Sequence, residues 1–231
     1  MPMLRARALI QLGAVVALAA AVVVVAILLS GGDETAAPPR AAKGASDRYA
    51  GIPQSGIHLG RASAPATLVE IADLQCPFCA AYSREALPTV VADYVRTGRV
   101  RYELRLRSFL GRDSVRAAGA AAYAARENRM YQFADAFYRN QGVEESGYAD
   151  RRFIESIARL AGLDPAKTAA AADDPLSFPA VEGGEMFARR AGSTGTPDFY
   201  VRKGGRMAPL NVHGTTPADY ARALDAALAG T

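Results

Sequence analysis

The sequence is sparing with the residue types that most often build chemistry. Its 231 residues contain no tryptophan, two cysteines and two histidines, and its excess of positive charge is only +4. A tetrahedral zinc site needs four nitrogen or sulfur ligands. The supply here is Cys76, Cys79, His58 and His213, with the histidines far apart and no second cysteine pair, so zinc is poorly supported. The charge excludes another class. Arg5 and Arg7 precede the first apolar run and a charge-balanced linker follows it, which leaves +2 on residues 49–231 and argues against a nucleic-acid partner.

The two cysteines make up for their number by their placement. They stand three apart in Cys76-Pro77-Phe78-Cys79, where an apolar strand-like run, Ala66 to Ala72, gives way to a helical pattern. A first cysteine at the start of a helix has its thiolate stabilised by outward-pointing N–H groups. A second cysteine one turn further in lies within bonding reach, so a mixed disulfide with a substrate can be resolved internally. As a structural staple the pair would be a poor choice, because closing so short a loop gains only about 2 kcal/mol. The motif points to thiol–disulfide exchange without a metal or organic cofactor.

Residues 8–29 are apolar apart from Gln11 and are long enough, at about 1.5 Å per residue, to cross a hydrocarbon core of about 30 Å. Arg5 and Arg7 lie before this run and Asp33 and Glu34 after it, so the positive-inside rule leaves residues 1–7 in the cytoplasm and everything after Ser30 outside. The apolar stretch exceeds that of a cleaved signal peptide and no small-x-small site follows before Pro38, which favours an uncleaved anchor in the cell membrane. Residues 30–52, rich in Ala, Pro, Gly and charge, read as a flexible linker. The remaining chain, residues 53–231, suits one domain with a sizeable core.

Within that domain, Ala66 to Ala72 is apolar on both faces apart from Glu70, as in a strand inside a sheet covered by helices. A helix is expected from Pro77 to Arg96. A second strand is expected from Arg99 to Arg107, with Arg101, Glu103, Arg105 and Arg107 on a solvated face. Helical patterns alone fill residues 113–192, at Asp113–Asn128, Met130–Asn140, Asp150–Ala161, Asp164–Ala172 and Phe178–Ala191. Strand signals return at Phe199-Tyr200-Val201 and Leu210-Asn211-Val212 around Gly204-Gly205, and a helix from Thr216 to Leu228 closes the chain. The expectation is an α/β fold whose order of elements resembles a thioredoxin-like fold with an inserted helical domain, preceded by a transmembrane helix.

The segments Leu68-Val69-Glu70-Ile71-Ala72-Asp73-Leu74-Gln75-Cys76-Pro77-Phe78-Cys79 and Thr194-Gly195-Thr196-Pro197-Asp198-Phe199-Tyr200-Val201 together resemble the DsbA-like thiol-disulfide oxidoreductases in their membrane-anchored bacterial form, over about residues 53–231. The position of Cys76 at the helix start makes it the candidate nucleophile and Cys79 the resolving thiol, and the resemblance implies the same order. Pro77 and Phe78 tune the thiolate. Phe78 cannot donate toward sulfur as the histidine of strongly oxidising members can, so the Cys76 thiolate is expected to be less stabilised than theirs. Glu70 is the one ionisable residue in a buried strand, where desolvation raises a carboxyl pKa. The resemblance makes it a proton relay for Cys79.

Thr196-Pro197 matches the cis-proline loop that faces the motif and presents backbone groups to an extended substrate, with the Thr196 hydroxyl toward the sulfurs. Asp198 departs from the uncharged residue usual after this proline. His58 and His213 are expected in loops or at the surface. The absence of tryptophan removes the Trp-Cys pair of the related cytochrome-maturation reductases. The resemblance further implies a monomer that oxidises reduced, unfolded secreted proteins and is reoxidised by a membrane redox partner of the DsbB-like or VKOR-like type. A reductase or isomerase, and a non-catalytic peptide-binding module, are the alternatives.

Overall fold

The computed structural model describes residues 47–230, so the expected cytoplasmic segment and membrane anchor, residues 1–29, lie outside the described residues. No helix among the described residues is long and apolar enough to cross a membrane. Six strands form one sheet: β1 (Gln54–Ser55), β2 (His58–Leu59), β3 (Ala66–Ala72), β4 (Arg101–Leu106), β5 (Asp198–Lys203) and β6 (Arg206–Pro209). Their spatial order is β1-β2-β4-β3-β5-β6. Only β3 and β4 run parallel; the other neighbours are antiparallel. Strand β3 is central and buried at every position except Thr67, as its apolar sequence requires.

The helix that follows β3 is broken where a single helix to Arg96 was expected. Helix α1 (Pro77–Glu85) ends at Ala86, a short α2 (Leu87–Val90) follows, and a wider turn over Val91–Val95 closes with Arg96 N–H donating to the Val91 carbonyl at 2.9 Å. Pro88 is the cause. It lacks the N–H of the next helical bond and its ring crowds the carbonyl four residues earlier. Between β4 and β5 come α3 (Gly111–Arg126), α4 (Met130–Arg139), α5 (Arg151–Ala161), α6 (Pro165–Ala172) and α7 (Phe178–Ala191), with no strand among these described residues. Asp150 and Asp164 cap α5 and α6, accepting from Phe153 and Lys167 N–H. Helix α8 (Pro217–Ala229) opens with a capping box between Thr216 and Asp219.

The structure corrects the sequence reading at four further places. Residues 47–52 are not linker: Tyr49 and Ile52 are buried in the main core, Tyr49 packs on Tyr131, and Arg48 pairs with Asp135 at 3.0 Å. His58, expected in a loop or at the surface, lies in the strand β2, partly exposed, and reaches the Glu103 carboxylate at 3.2 Å. The last strand is not Leu210–Val212. Gly204 and Gly205 both have positive φ, as a two-residue hairpin loop demands, so pairing must resume at Arg206.

The solvated face expected of β4 is also largely covered. Helix α7 lies across it, so close that a Cβ on Gly184 would overlap the Leu106 carbonyl oxygen. Glu103 is fully buried there and gathers His58, Arg105 and Arg202, while Arg107 pairs with Glu185 of α7. The opposite sheet face carries Leu68, Glu70, Tyr102 and Phe199 into the main core under α1, α4 and α8.

Candidate active site

Strand β3 and helix α1 are joined by a tight turn that aims Cys76 at the sheet's C-terminal end. Asp73 builds it. Its Oδ1 accepts from Gln75 N–H at 2.9 Å and Ser114 Oγ at 2.6 Å, and its Oδ2 from Phe109 and Leu110 N–H at 3.1 and 3.2 Å. The first of these is an Asx-turn. Gln75 is buried and donates to Leu110 O and to Ser114 Oγ, and it accepts from Glu145 N–H at 2.9 Å. Gln141 donates to the carbonyls of Leu74 and Cys76 at 2.6 and 3.2 Å. Sequence reasoning missed these groups. Asp73 and Gln75 carried a signal, as polar residues directly ahead of the motif; Ser114 and Gln141 carried none.

Cys76 is the N-cap of α1 in extended conformation, with Pro77 at the first helical position, where a missing N–H costs nothing. Both cysteines are free thiols, with Cys76 4% and Cys79 0% exposed. They are unequal. The Cys76 pKa is lowered to about 6, first by the Cys79 thiol that donates to it, against the opposing effect of burial, and then by Thr196 and by the Cys79 and Phe78 N–H groups. The Cys79 thiol is pushed well up by burial, by its hydrogen bond to Cys76 and by the Glu70 and Cys76 charges. Cys76 is thus the thiolate at neutral pH and Cys79 the thiol. Phe78, 72% exposed, contributes only its backbone to this balance.

The loop before β5 closes the site from the far side of the chain. Cys76 Sγ lies 3.3 Å from the Thr196 carbonyl oxygen, a contact the sulfur makes as a hydrogen bond only in its protonated form, and the Thr196-Pro197 bond is cis. Thr196 borders the sulfur with its carbonyl, its side chain lowers the Cys76 pKa, and its Oγ1 is buried. Asp198 accepts from the Tyr200 hydroxyl at 3.0 Å. His213 is exposed.

Beneath the cysteines, Glu70 is 3% exposed and accepts a hydrogen bond from the Tyr102 hydroxyl. Burial raises its pKa to about 8, the Tyr102 bond opposes this, and the Cys76 charge adds to it. A protonated carboxyl under a buried thiol of high pKa can supply or take a proton there.

A family model described as thioredoxin matches residues 53–225, most of the chain. The chain belongs to the thioredoxin family. Within it, the relatives are of the DsbA-like, thiol-disulfide oxidoreductase kind. A probable disulfide bond formation protein D of Bacillus cereus is 30% identical over 103 residues, 44% of this chain and 48% of that protein. The chain thus spans about half the length of the curated relatives it matches. The crystal structure of oxidised BdbD from Bacillus subtilis superposes with a TM-score of 0.67 at 20% identity, covering 78% of this chain and 98% of that one. DsbA of Chlamydia trachomatis does so with 0.62 at 17%, covering 76% and 93%. These likenesses bear out the thioredoxin-like fold of this thioredoxin-family chain, in which α3 to α7 stand between β4 and β5.

Proposed function

We propose that the chain is an extracytoplasmic dithiol oxidase that introduces disulfide bonds into reduced secreted or envelope proteins. The observation that carries this reading is the placement of the free dithiol, with Cys76 at the N-cap of α1 beside the cis Thr196-Pro197 bond and Cys79 fully buried behind it, an arrangement that lowers Cys76 to about 6 and pushes Cys79 well up. A substrate thiolate attacks Cys76 of the Cys76–Cys79 disulfide, Cys79 leaves and takes a proton, and a second substrate thiolate attacks the mixed disulfide and releases Cys76 as its stable thiolate. Stabilising that thiolate stabilises the reduced enzyme and makes the disulfide oxidising. Thr196 and Pro197 border the nucleophile and form the edge against which an extended substrate lies.

Residues 8–29 serve in this reading as a single-pass anchor that keeps the catalytic domain outside and beside a quinone-linked membrane partner of the DsbB-like or VKOR-like type, which removes the electrons. The Cys76 pKa falls between about 7 for thioredoxin and about 3.5 for DsbA. The reduction potential is accordingly expected between about −270 and about −120 mV. Equilibration of the purified protein against glutathione buffers, read by thiol alkylation, measures it. A value at or below that of thioredoxin would overturn the oxidase direction and favour a reductase.

A further inference from the structure

Glu70 holds its proton in an unusual setting. One carboxyl oxygen, Oε2, accepts from Tyr102 Oη, while Oε1 is buried with no hydrogen-bond partner. Tyr102 stands on β4, the strand paired in parallel with that of Glu70, and is fully buried. Its hydroxyl also meets that of Tyr82 at 3.3 Å. Tyr82 belongs to α1, three residues beyond Cys79, and its ring is wedged between Phe199 and Tyr220, each 4.7 Å away. The Tyr102 ring is held edge-on by Tyr131, whose hydroxyl donates to the Ile57 and Tyr102 carbonyls.

We propose that Tyr102 is the positioning residue of the Glu70 relay: its hydroxyl, linked to Tyr82 on the active-site helix, fixes Oε2 and leaves Oε1 free to exchange a proton with Cys79. This rests on the dithiol–disulfide reading of Cys76 and Cys79. When a substrate thiolate forms its S–S bond to Cys76, the Cys76–Cys79 bond breaks and Cys79 Sγ leaves with the electron pair. It takes the proton of the Glu70 carboxyl. The carboxylate left behind is stabilised by the Tyr102 O–H, because a hydrogen bond to an ionised acceptor is stronger than one to a neutral acid. In the resolving direction the carboxylate takes the Cys79 proton as the thiol attacks a Cys76 mixed disulfide, which releases the other sulfur as a thiolate.

The surroundings leave this task to tyrosine. The titratable groups that feel the Glu70 charge are Cys79 with Tyr82 on α1, Tyr102 on β4, Tyr131 and Tyr138 on α4, Tyr220 on α8, and Tyr49 of the first turn. The Cys76 charge in turn raises the Glu70 pKa. No lysine or arginine among the described residues hydrogen-bonds the carboxyl, so the Tyr102 hydroxyl is the donor that stabilises its charged form.

The test follows reaction of the full-length reduced chain with oxidised glutathione across neutral and alkaline pH. The first phase reports attack by Cys76 and the second, resolution by Cys79. In the parent the second phase is expected to rise with an inflection below about pH 8, because the mixed disulfide removes the Cys76 charge that helps to raise the Glu70 pKa. Tyr102→Phe is expected to move that inflection up by about one pH unit or more, the loss of one bond to a charged group. Tyr82→Phe should move it the same way by less, and the first phase should not change in either variant. An unmoved inflection in Tyr102→Phe, with Glu70→Gln abolishing it, overturns the role of Tyr102 and leaves the Glu70 relay standing. If Tyr102→Phe does not fold, an unmoved inflection in Tyr82→Phe overturns the hydroxyl chain. Persistence of the parent inflection in Glu70→Gln instead removes the relay, and failure of Cys76 to form any mixed disulfide removes the dithiol–disulfide reading beneath it.

Discussion

The reduction potential should change its dependence on pH where Cys76 titrates. With a pKa of about 6, the Cys76 sulfur is ionised in the dithiol form at pH 7. That lowers the free energy of the reduced state by roughly 1.4 kcal/mol relative to a pair with both sulfurs protonated. For a two-electron couple this makes the disulfide more oxidising by about 30 mV. Reduction below pH 6 takes up two protons and should slope by about 59 mV per pH unit; above it one proton is taken up and the slope should halve to about 30 mV. Glutathione equilibration over the acid and neutral range gives the slope, and the ultraviolet absorbance of the thiolate gives the pKa independently. The largest lowering influence is the Cys79 thiol, so Cys79→Ala should carry the Cys76 inflection upward. A steep slope that persists to pH 8, or an inflection that Cys79→Ala leaves in place, would refute the reasoning.

Three other perturbations follow from the packing. Glu70 holds its proton up to about pH 8 in the folded chain against a usual 4.5, so the folded state binds the extra proton between these values and stability should fall as pH rises through that window. Glu70→Gln should flatten the dependence and stabilise the chain by up to about 3 kcal/mol at pH 7, read from denaturant midpoints at several pH values. Asp73→Ala strips the acceptor from three backbone N–H groups and the Ser114 hydroxyl; it should cost about 3 kcal/mol or more in denaturant unfolding and speed alkylation of Cys79. Gly184→Ala drives a methyl into the Leu106 carbonyl and must lift α7 from β4, so it should lower the melting temperature by several degrees while leaving the Cys76 inflection unmoved.

The parts of this fold that were legible in the sequence are those where local pattern and tertiary burial demand the same thing. Strand β3 and helix α7 lie where their patterns put them, and the Cys76 motif and the Thr196-Pro197 loop, 120 residues apart, meet. What was not legible depends on a distant neighbour. The β1–β2 hairpin consists of two-residue strands held in the sheet because β4 accepts β2 along its edge and β2 in turn pairs with β1. Glu103 alternates with apolar residues as a solvent-facing side chain would, yet it is buried, with His58 of β2, Arg105 of its own strand and Arg202 of β5 at its carboxylate. Arg48 and Tyr49 look like linker until Asp135 and Tyr131 are seen to receive them. In the site, the sulfurs could be read from spacing, but the Tyr102 hydroxyl beneath them could not, because the alternation of β4 marks that residue as core and says nothing of what its oxygen touches.

The sheet ends in two very short borders, the two residues of β1 on one side and the four exposed residues of β6 on the other. A protein whose proposed clients are unfolded polypeptides meets chains with many unpaired backbone groups, and any long open sheet edge would invite them to add as a further strand. Here β1 is too short to hold a client strand, and β6 begins with a charged Arg206 and ends with Pro209, which has no N–H to offer. Under the proposed function, these short edges would let clients be engaged at the Cys76 end without a second grip along the flank.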